Sequence, residues 1–209
     1  MIFKLEPDLV FPPPHLADDD GLLAVGGDLT TGRLILAYSL GIFPWYSEET
    51  PILWYSPHKR FVLFPQKVYI SKTMKKVMRS KTFQITQNQA FEKVIGSCAA
   101  AKRKEQDGTW ILPEMQAAYI RLYEQGIAHS VEIWSANQLV GGLYGVQTGD
   151  VFCGESMFST QSNASKAALI WLCQNTNYSL IDCQFHTEHL ESMGAEYISR
   201  EDYMKILQA

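Results

Sequence analysis

A-H-S-V-E-I-W-S-A-N-Q-L-V-G-G-L-Y-G-V-Q-T-G-D-V-F-C-G-E-S-M-F, residues 128–158, holds three apolar runs separated by two short polar breaks. The runs are S-V-E-I-W (130–134), L-V-G-G-L-Y-G-V (139–146) and V-F-C-G-E-S-M-F (151–158). Their β-branched and aromatic residues favour strands, and S-A-N-Q and Q-T-G-D have the composition of tight turns. The stretch therefore predicts two successive antiparallel hairpins. One acid, Glu155, stands in the third run. An ionised carboxylate there loses several kcal/mol on leaving water unless partners meet it.

Toward the C-terminus the spacing predicts a helix over 163–175, opened by Ser162 or Asn163, then the strand S-L-I-D-C-Q-F (179–185). A short helix, a short strand near 196–198 and a last helix over 200–207 complete the chain. Upstream lie helical stretches at 71–79, with Ser71 as cap, and at 88–100 and 113–125. A charged loop (102–109) separates the last two. Earlier still, F-P-P-P (11–14) is extended and D-D-D-G (18–21) is a turn. A helix capped by Thr30 or Thr31 presents Leu34, Ile35 and Tyr38 as its apolar face and ends at Gly41. Pro44 forces Phe43 into an extended conformation, and 52–64 contains a strand. This order predicts an α+β protein with a mixed, mainly antiparallel sheet. The change of rhythm near residue 62 predicts a small N-terminal domain (1–62) and a larger domain (63–209).

No apolar run approaches the roughly 18 residues of a membrane-spanning helix, and M-I-F-K-L-E-P-D at the start lacks the pattern of a signal peptide. A cytoplasmic protein without membrane association is expected. Cys98, Cys153, Cys173 and Cys183 form no C-x-x-C pair and no zinc spacing, which fits reduced thiols. The net charge of −4 gives no global sign of a nucleic-acid partner. Locally, Lys72, Lys75, Lys76 and Arg79 recur at i, i+3, i+4 and i+7, making one helix face basic. Lys67 and Lys81 flank it, and Lys102, Arg103 and Lys104 form a second cluster. Two clusters of one sign in an acidic chain point modestly to a phosphate backbone, although a charge run is most often a solvated face.

Residues two apart on a strand share a face at roughly 6.5–7 Å. On a regular strand Glu155 shares its face with Val151, Cys153 and Met157. Asp182 and Gln184 share one with Leu180, while Ile181, Cys183 and Phe185 point the other way. Three polar side chains on two strands favour a shared site over three separate structural partnerships. Leu143, Phe152, Met157 and Ile181, with Leu169 and Leu172, read equally as plain core or as an apolar pocket. Trp45, Trp54 and Trp110 lie in loop-like contexts and read as domain packing or as platforms for a base. His186 and His189 have no third ligand at suitable spacing beside Asp182, so no metal is expected.

The motifs G-L-L-A-V-G-G-D-L (21–29), G-I-F-P-W-Y-S (41–47), I-L-W-Y-S-P (52–57), D-G-T-W-I (107–111), A-H-S-V-E-I-W (128–134), L-V-G-G-L-Y-G-V (139–146), F-C-G-E-S-M-F-S (152–159), N-A-S-K (163–166) and L-I-D-C-Q (180–184) follow one another in this order. In them the chain resembles the bacterial leucyl/phenylalanyl-tRNA–protein transferases, from about residue 11 to 205. The resemblance implies a small N-terminal domain followed by a GNAT-like acyltransferase domain. It also implies transfer of Leu or Phe, Met less well, from aminoacyl-tRNA to the α-amino group of proteins beginning with Arg or Lys. That transfer marks them for N-end rule degradation. No cofactor and a monomeric state are expected. By motif, Asp182 and Gln184 resemble the catalytic pair and Glu155 the active-site carboxylate. Trp45 and Trp110 resemble contacts to the terminal adenosine, with Ser156 also expected in the substrate site. The six apolar residues resemble the pocket for the Leu or Phe side chain, and Lys72, Lys75, Lys76 and Arg79 a tRNA-binding patch.

In a regular strand Phe152 and Met157 face opposite ways, so lining one pocket requires a bulge or twist, expected at Gly154. The competing readings are a GNAT-type N-acetyltransferase using acetyl-CoA, a non-catalytic tRNA-binding module, and a transferase acting on another amine. The first is disfavoured because S-T-Q-S-N-A-S-K (159–166) lacks the glycines that cradle a pyrophosphate.

Overall fold

The computed structural model describes residues 2–101 and 109–209. The stretch 128–158 forms the expected meander of β7 (Ala128–Ser135), β8 (Gln138–Thr148) and β9 (Val151–Ser159). Its first turn is set by Ala136 and Asn137, both at positive φ (47° and 63°). Two such residues give the turn a twist that matches right-handed strands. Gly149, at φ 56°, opens the second turn.

Around this meander a seven-stranded sheet runs in the order β11-β5-β10-β9-β8-β7-β6. The added strands are β5 (Lys59–Leu63), β6 (Gln84–Gln87), β10 (Leu180–Gln184) and β11 (Glu196–Ser199). β10 runs parallel to β9, and the other pairings in this sheet are antiparallel. A second sheet, ordered β1-β2-β4-β3, joins β1 (Phe3–Leu5), β2 (Leu22–Gly26), β4 (Leu53–Tyr55) and β3 (Phe43–Pro44). The protein is thus α+β with a mixed, mainly antiparallel main sheet. The junction expected near residue 62 falls inside β5, which is already a strand of the large sheet.

The helices are α1 (Thr31–Ser39), α2 (Lys72–Arg79), α3 (Phe91–Ala100), α4 (Pro113–Glu124), α5 (Ala164–Asn175), α6 (Glu188–Glu191) and α7 (Arg200–Leu207). Thr30 caps α1 and Ser71 caps α2, each side-chain oxygen accepting a backbone N–H three residues on. Capping satisfies a donor that the first helical turn leaves free. Leu34, Ala37 and Tyr38 form the buried face of α1, but Ile35 is 42% exposed, contrary to the expected apolar face. Asn163 precedes α5 in the left-handed region (φ 73°) and makes no side-chain cap. Strand β6 is absent from the expectations above because Q-I-T-Q is a polar strand at the edge of the sheet.

Two cores lie against the large sheet. One joins α3 and α4 to the small sheet and α1, through Phe91, Val94, Met115, Tyr119, Leu34 and Trp54. The other packs α5 against Leu63, Val131, Leu143, Phe152 and Ile181. Trp54, read from the sequence as a loop residue, is fully buried on β4 and donates its indole N–H to the Gly26 carbonyl at 2.8 Å.

The glycines of L-V-G-G-L-Y-G-V let neighbours close in. A Cβ on Gly141 would stand 2.5 Å from that of Ala164 on α5. A Cβ on Gly145 would stand 2.2 Å from the Cys153 carbonyl oxygen and 2.6 Å from the Phe152 ring. The backbone oxygen cannot step aside without shifting the ladder. Gly145→Ala is therefore expected to lower the unfolding free energy by about 1–3 kcal/mol, measured by urea denaturation; an unchanged midpoint would refute the crowding.

Candidate active site

Parallel pairing of β10 with β9 runs through Leu180–Val151 and Ile181–Phe152 and ends at Asp182–Cys153. Both strands are bulged where it ends. On β9, Gly154 pairs with Gly145 and Ser156 with Tyr144, which leaves Glu155 as the extra residue. On β10, Asp182 pairs with Val62 and Gln184 with Phe61, which leaves Cys183 unpaired. Gln184 then sits at φ 62°, in the left-handed region where a non-glycine residue is strained. A one-residue bulge reverses the alternation beyond it. Phe152 and Met157 consequently line one cavity, and the bulge that this requires sits at Gly154–Glu155.

That cavity, of about 470 Å³, opens where the two strands part. Leu143, Phe152, Met157, Leu169, Leu172 and Ile181 form an apolar wall. Trp45 and Trp110 also line it, and Glu155, Ser156 and Gln184 supply polar groups. Trp45 packs against Phe185 (ring centroids 5.0 Å) and Tyr55 (6.0 Å), which fixes its plane beside the mouth. Pro44, Tyr144, Cys183, Phe185, His186, Thr187, His189 and Leu190 also line the space. His189 is half-buried on α6, and burial, reinforced by Lys166, pushes its imidazole below the usual histidine range. His186 precedes α6 and bonds to Glu191 at 2.9 Å.

Glu155 is 7% exposed and receives a full set of donors. Tyr38 O–H donates to Oε1 at 2.7 Å, Gln184 Nε2 to the same oxygen at 2.9 Å, and Tyr119 O–H to Oε2 at 3.0 Å. The two tyrosine oxygens also lie in hydrogen-bond contact; each carries one proton, so all three contacts are satisfied together only when Glu155 is protonated and donates to one of them. Burial pushes the carboxyl up and the three donors pull it back, while Asp182 nearby raises it again, for a net value of about 7. Burial, with the Glu155 charge next, in turn drives both tyrosine hydroxyls well above their ordinary value, so they remain donors. Sequence reasoning named neither Tyr38 nor Tyr119 as a site residue. The available signal was the unpartnered acid itself, which demanded donors from somewhere.

Asp182 has a different setting. It is 1% exposed and is not among the residues that line the cavity. Its Oδ1 accepts the backbone N–H of Gln184 at 2.9 Å. Its Oδ2 accepts Tyr203 O–H at 3.0 Å and pairs with Arg60 Nε at 3.1 Å. Asp182 and Gln184 are therefore brought together by a backbone contact, and only Gln184 reaches into the cavity.

Lys72, Lys75, Lys76 and Arg79 line a separate shallow cleft with Ser80 on the exposed face of α2. Lys102, Arg103 and Lys104 lie outside the described residues. Among the described residues no group of three or more His, Cys, Asp or Glu is placed to hold a metal ion, and no helix is long and apolar enough to cross a membrane.

Two family patterns match the chain: leucyl/phenylalanyl-tRNA protein transferase over residues 62–208, and the N-terminal domain of the same family over residues 27–58. A leucyl/phenylalanyl-tRNA–protein transferase of Flavobacterium johnsoniae is 52% identical over 211 residues, covering 100% of each chain. One of Syntrophobacter fumaroxidans is 53% identical over 209 residues, covering 99% of this chain and 89% of that one. Among solved structures, a GCN5-related N-acetyltransferase from Kribbella flavida superposes with a TM-score of 0.40 at 9% identity, over 76% of this chain and 57% of that one. From the full-length identity and the two matched patterns, the chain belongs to the leucyl/phenylalanyl-tRNA protein transferase family and is an enzyme of the transferase class.

Proposed function

We propose that this transferase moves Leu or Phe, and Met less well, from aminoacyl-tRNA to the α-amino group of proteins that begin with Arg or Lys, marking them for N-end rule degradation. The observation that carries the reading is the single cavity in which two tryptophans, an apolar wall and the Glu155–Gln184 pair converge. An aminoacyl-adenosine has three matching parts. Its base stacks on Trp45 and Trp110, its Leu or Phe side chain enters the apolar wall, and its ester lies beside Gln184 and Glu155. Lys72, Lys75, Lys76 and Arg79 meet the tRNA phosphates, a contact that needs charge more than shape.

The reaction is aminolysis of an activated ester. The acceptor nitrogen bonds to the ester carbon, the bond from that carbon to the ribose oxygen breaks, the nitrogen loses a proton and the ribose oxygen gains one. Neither cofactor nor energy source enters this balance. A free α-amino group titrates near pH 8, so the site must favour its neutral form. A carboxyl poised near neutrality suits that proton transfer. Gln184 donates through its amide nitrogen to Glu155 and has a carbonyl oxygen left to accept from the amine. Asp182 contributes through Gln184, because its own oxygens are already engaged.

The same reading holds residues 1–62 as a small N-terminal domain and 63–209 as the GNAT-like catalytic domain, supported by the change of sheet between β4 and β5. It places a monomer in the cytoplasm, in keeping with four free cysteines.

Supplying labelled Leu-tRNA with proteins that differ only in the first residue tests the reading. Label is expected on Arg and Lys acceptors alone, and equal labelling of other N-termini would overturn the acceptor assignment. Trp110→Ala is expected to raise KM for aminoacyl-tRNA about tenfold, since stacking on a base is worth about 1–3 kcal/mol; an unchanged KM would reduce Trp110 to packing. Glu155 also gives a test that needs no substrate. Its carboxyl lies near 4.5 unfolded and about 7 folded, so the folded state binds the extra proton between those values. Stability from this group is present below pH 4.5 and lost as pH rises through 7, on the order of 3 kcal/mol. The difference in unfolding free energy between the wild type and Glu155→Gln should fall across that window, and a flat difference would refute the shift.

A further inference from the structure

Two buried side chains beside the site have no part in the chemistry above. Arg60, on β5, is 3% exposed, and its guanidinium lies between the rings of Phe43 and Tyr203, with Cζ 4.7 Å and 4.5 Å from their centroids. Its Nη2 donates to the Gly41 carbonyl at 2.8 Å. Tyr203, on α7, is 1% exposed. Both end on one atom, Asp182 Oδ2.

Burying an ion pair is a poor route to stability, since apolar residues of similar volume do as well or better. What this pair supplies is orientation. With Oδ2 held by Arg60 and Tyr203, the carboxylate has one rotation left, and Oδ1 meets the Gln184 N–H at 2.9 Å. That bond forms where parallel pairing with β9 has ended and where Gln184 is strained at φ 62°. Strained backbone persists only where its surroundings over-determine it. The consequence is local and specific, because the Gln184 amide then reaches Glu155 at 2.9 Å.

We infer that Arg60 and Tyr203 are positioning residues of the transfer reaction, fixing the Asp182 carboxylate so that it holds Gln184 in the left-handed conformation that aims its amide at Glu155. The inference rests on the reading of Gln184 and Glu155 as the reacting pair. The rival account is a staple that only ties β5, α7 and the Gly41 turn together. The two accounts differ in what they do to Gln184.

Tyr203→Phe separates them, because it keeps the ring over Arg60 and removes the O–H that donates to Asp182 and that also meets Cys153 Sγ at 3.8 Å. Positioning predicts a fall in kcat on the order of 10- to 100-fold, with KM for Leu-tRNA changed no more than about twofold because the cavity wall is intact. A second readout is the Glu155 titration, followed by carbon-13 NMR of its carboxyl. Tyr38, Tyr119 and Asp182 still face Glu155 in the variant, so loss of the Gln184 donor alone should move the midpoint upward. Ile95→Val, which removes a buried methyl group from α3, is the stability control and should alter neither. An unchanged kcat and midpoint in Tyr203→Phe would overturn the inference, as would equal losses in the control at matched Tm. If wild-type enzyme transfers nothing to any acceptor, the functional reading has failed, and the titration still decides whether Tyr203 positions Gln184.

Discussion

Two parallel strands cannot separate in the middle of a sheet without freeing backbone groups that must find new partners. β9 and β10 part after Cys153 and Asp182, and the cavity, the bulges and the buried charges follow from that divergence. On β10 the freed Gln184 N–H is taken by the Asp182 side chain, a substitute for a ladder bond. On β9 the extra residue is the acid Glu155, turned toward two tyrosines. The opening is thus built by exchanging backbone pairing for side-chain pairing at one level of the sheet. An orphaned backbone group in that position would cost about as much as a lost hydrogen bond.

The two carboxylates near this opening show how environment divides labour between similar groups. Asp182 meets a full cation and a hydroxyl on one oxygen and a backbone N–H on the other. Among the described residues, Glu155 accepts from neutral donors, two phenols and an amide. Neutral donors offset only part of the penalty of burial, so its proton is held to about neutrality. An acid that must exchange a proton near physiological pH is better served by the second setting.

Much of this was legible in the chain. The meander, the turns at Ala136–Asn137 and Gly149, the caps at Thr30 and Ser71 and the helix–strand order after Asn163 have local causes, and local patterns reveal them. The bulge at Glu155 was legible for a different reason: Phe152 and Met157 could share a pocket only if the alternation slipped between them. What stayed hidden depends on distant partners. Tyr38 reads as an apolar helix residue, and its hydroxyl bonds an acid 117 residues away. Arg60 carries no local cue to its partners, which come from β10, α7 and the turn after α1. Asp182 and Gln184 looked alike on a regular strand. The bulge at Cys183 sends one to the interior and the other to the cavity.

Tyr38, Trp45 and Arg60 all precede residue 63, and each reaches the site or its support. The residues that build the cavity and its support are therefore divided along the chain. Residues 63–209 taken alone would present Glu155 without Tyr38, Asp182 without Arg60 and the cavity without Trp45. Such a fragment would also lose most of β5, the strand that joins β11 to β10.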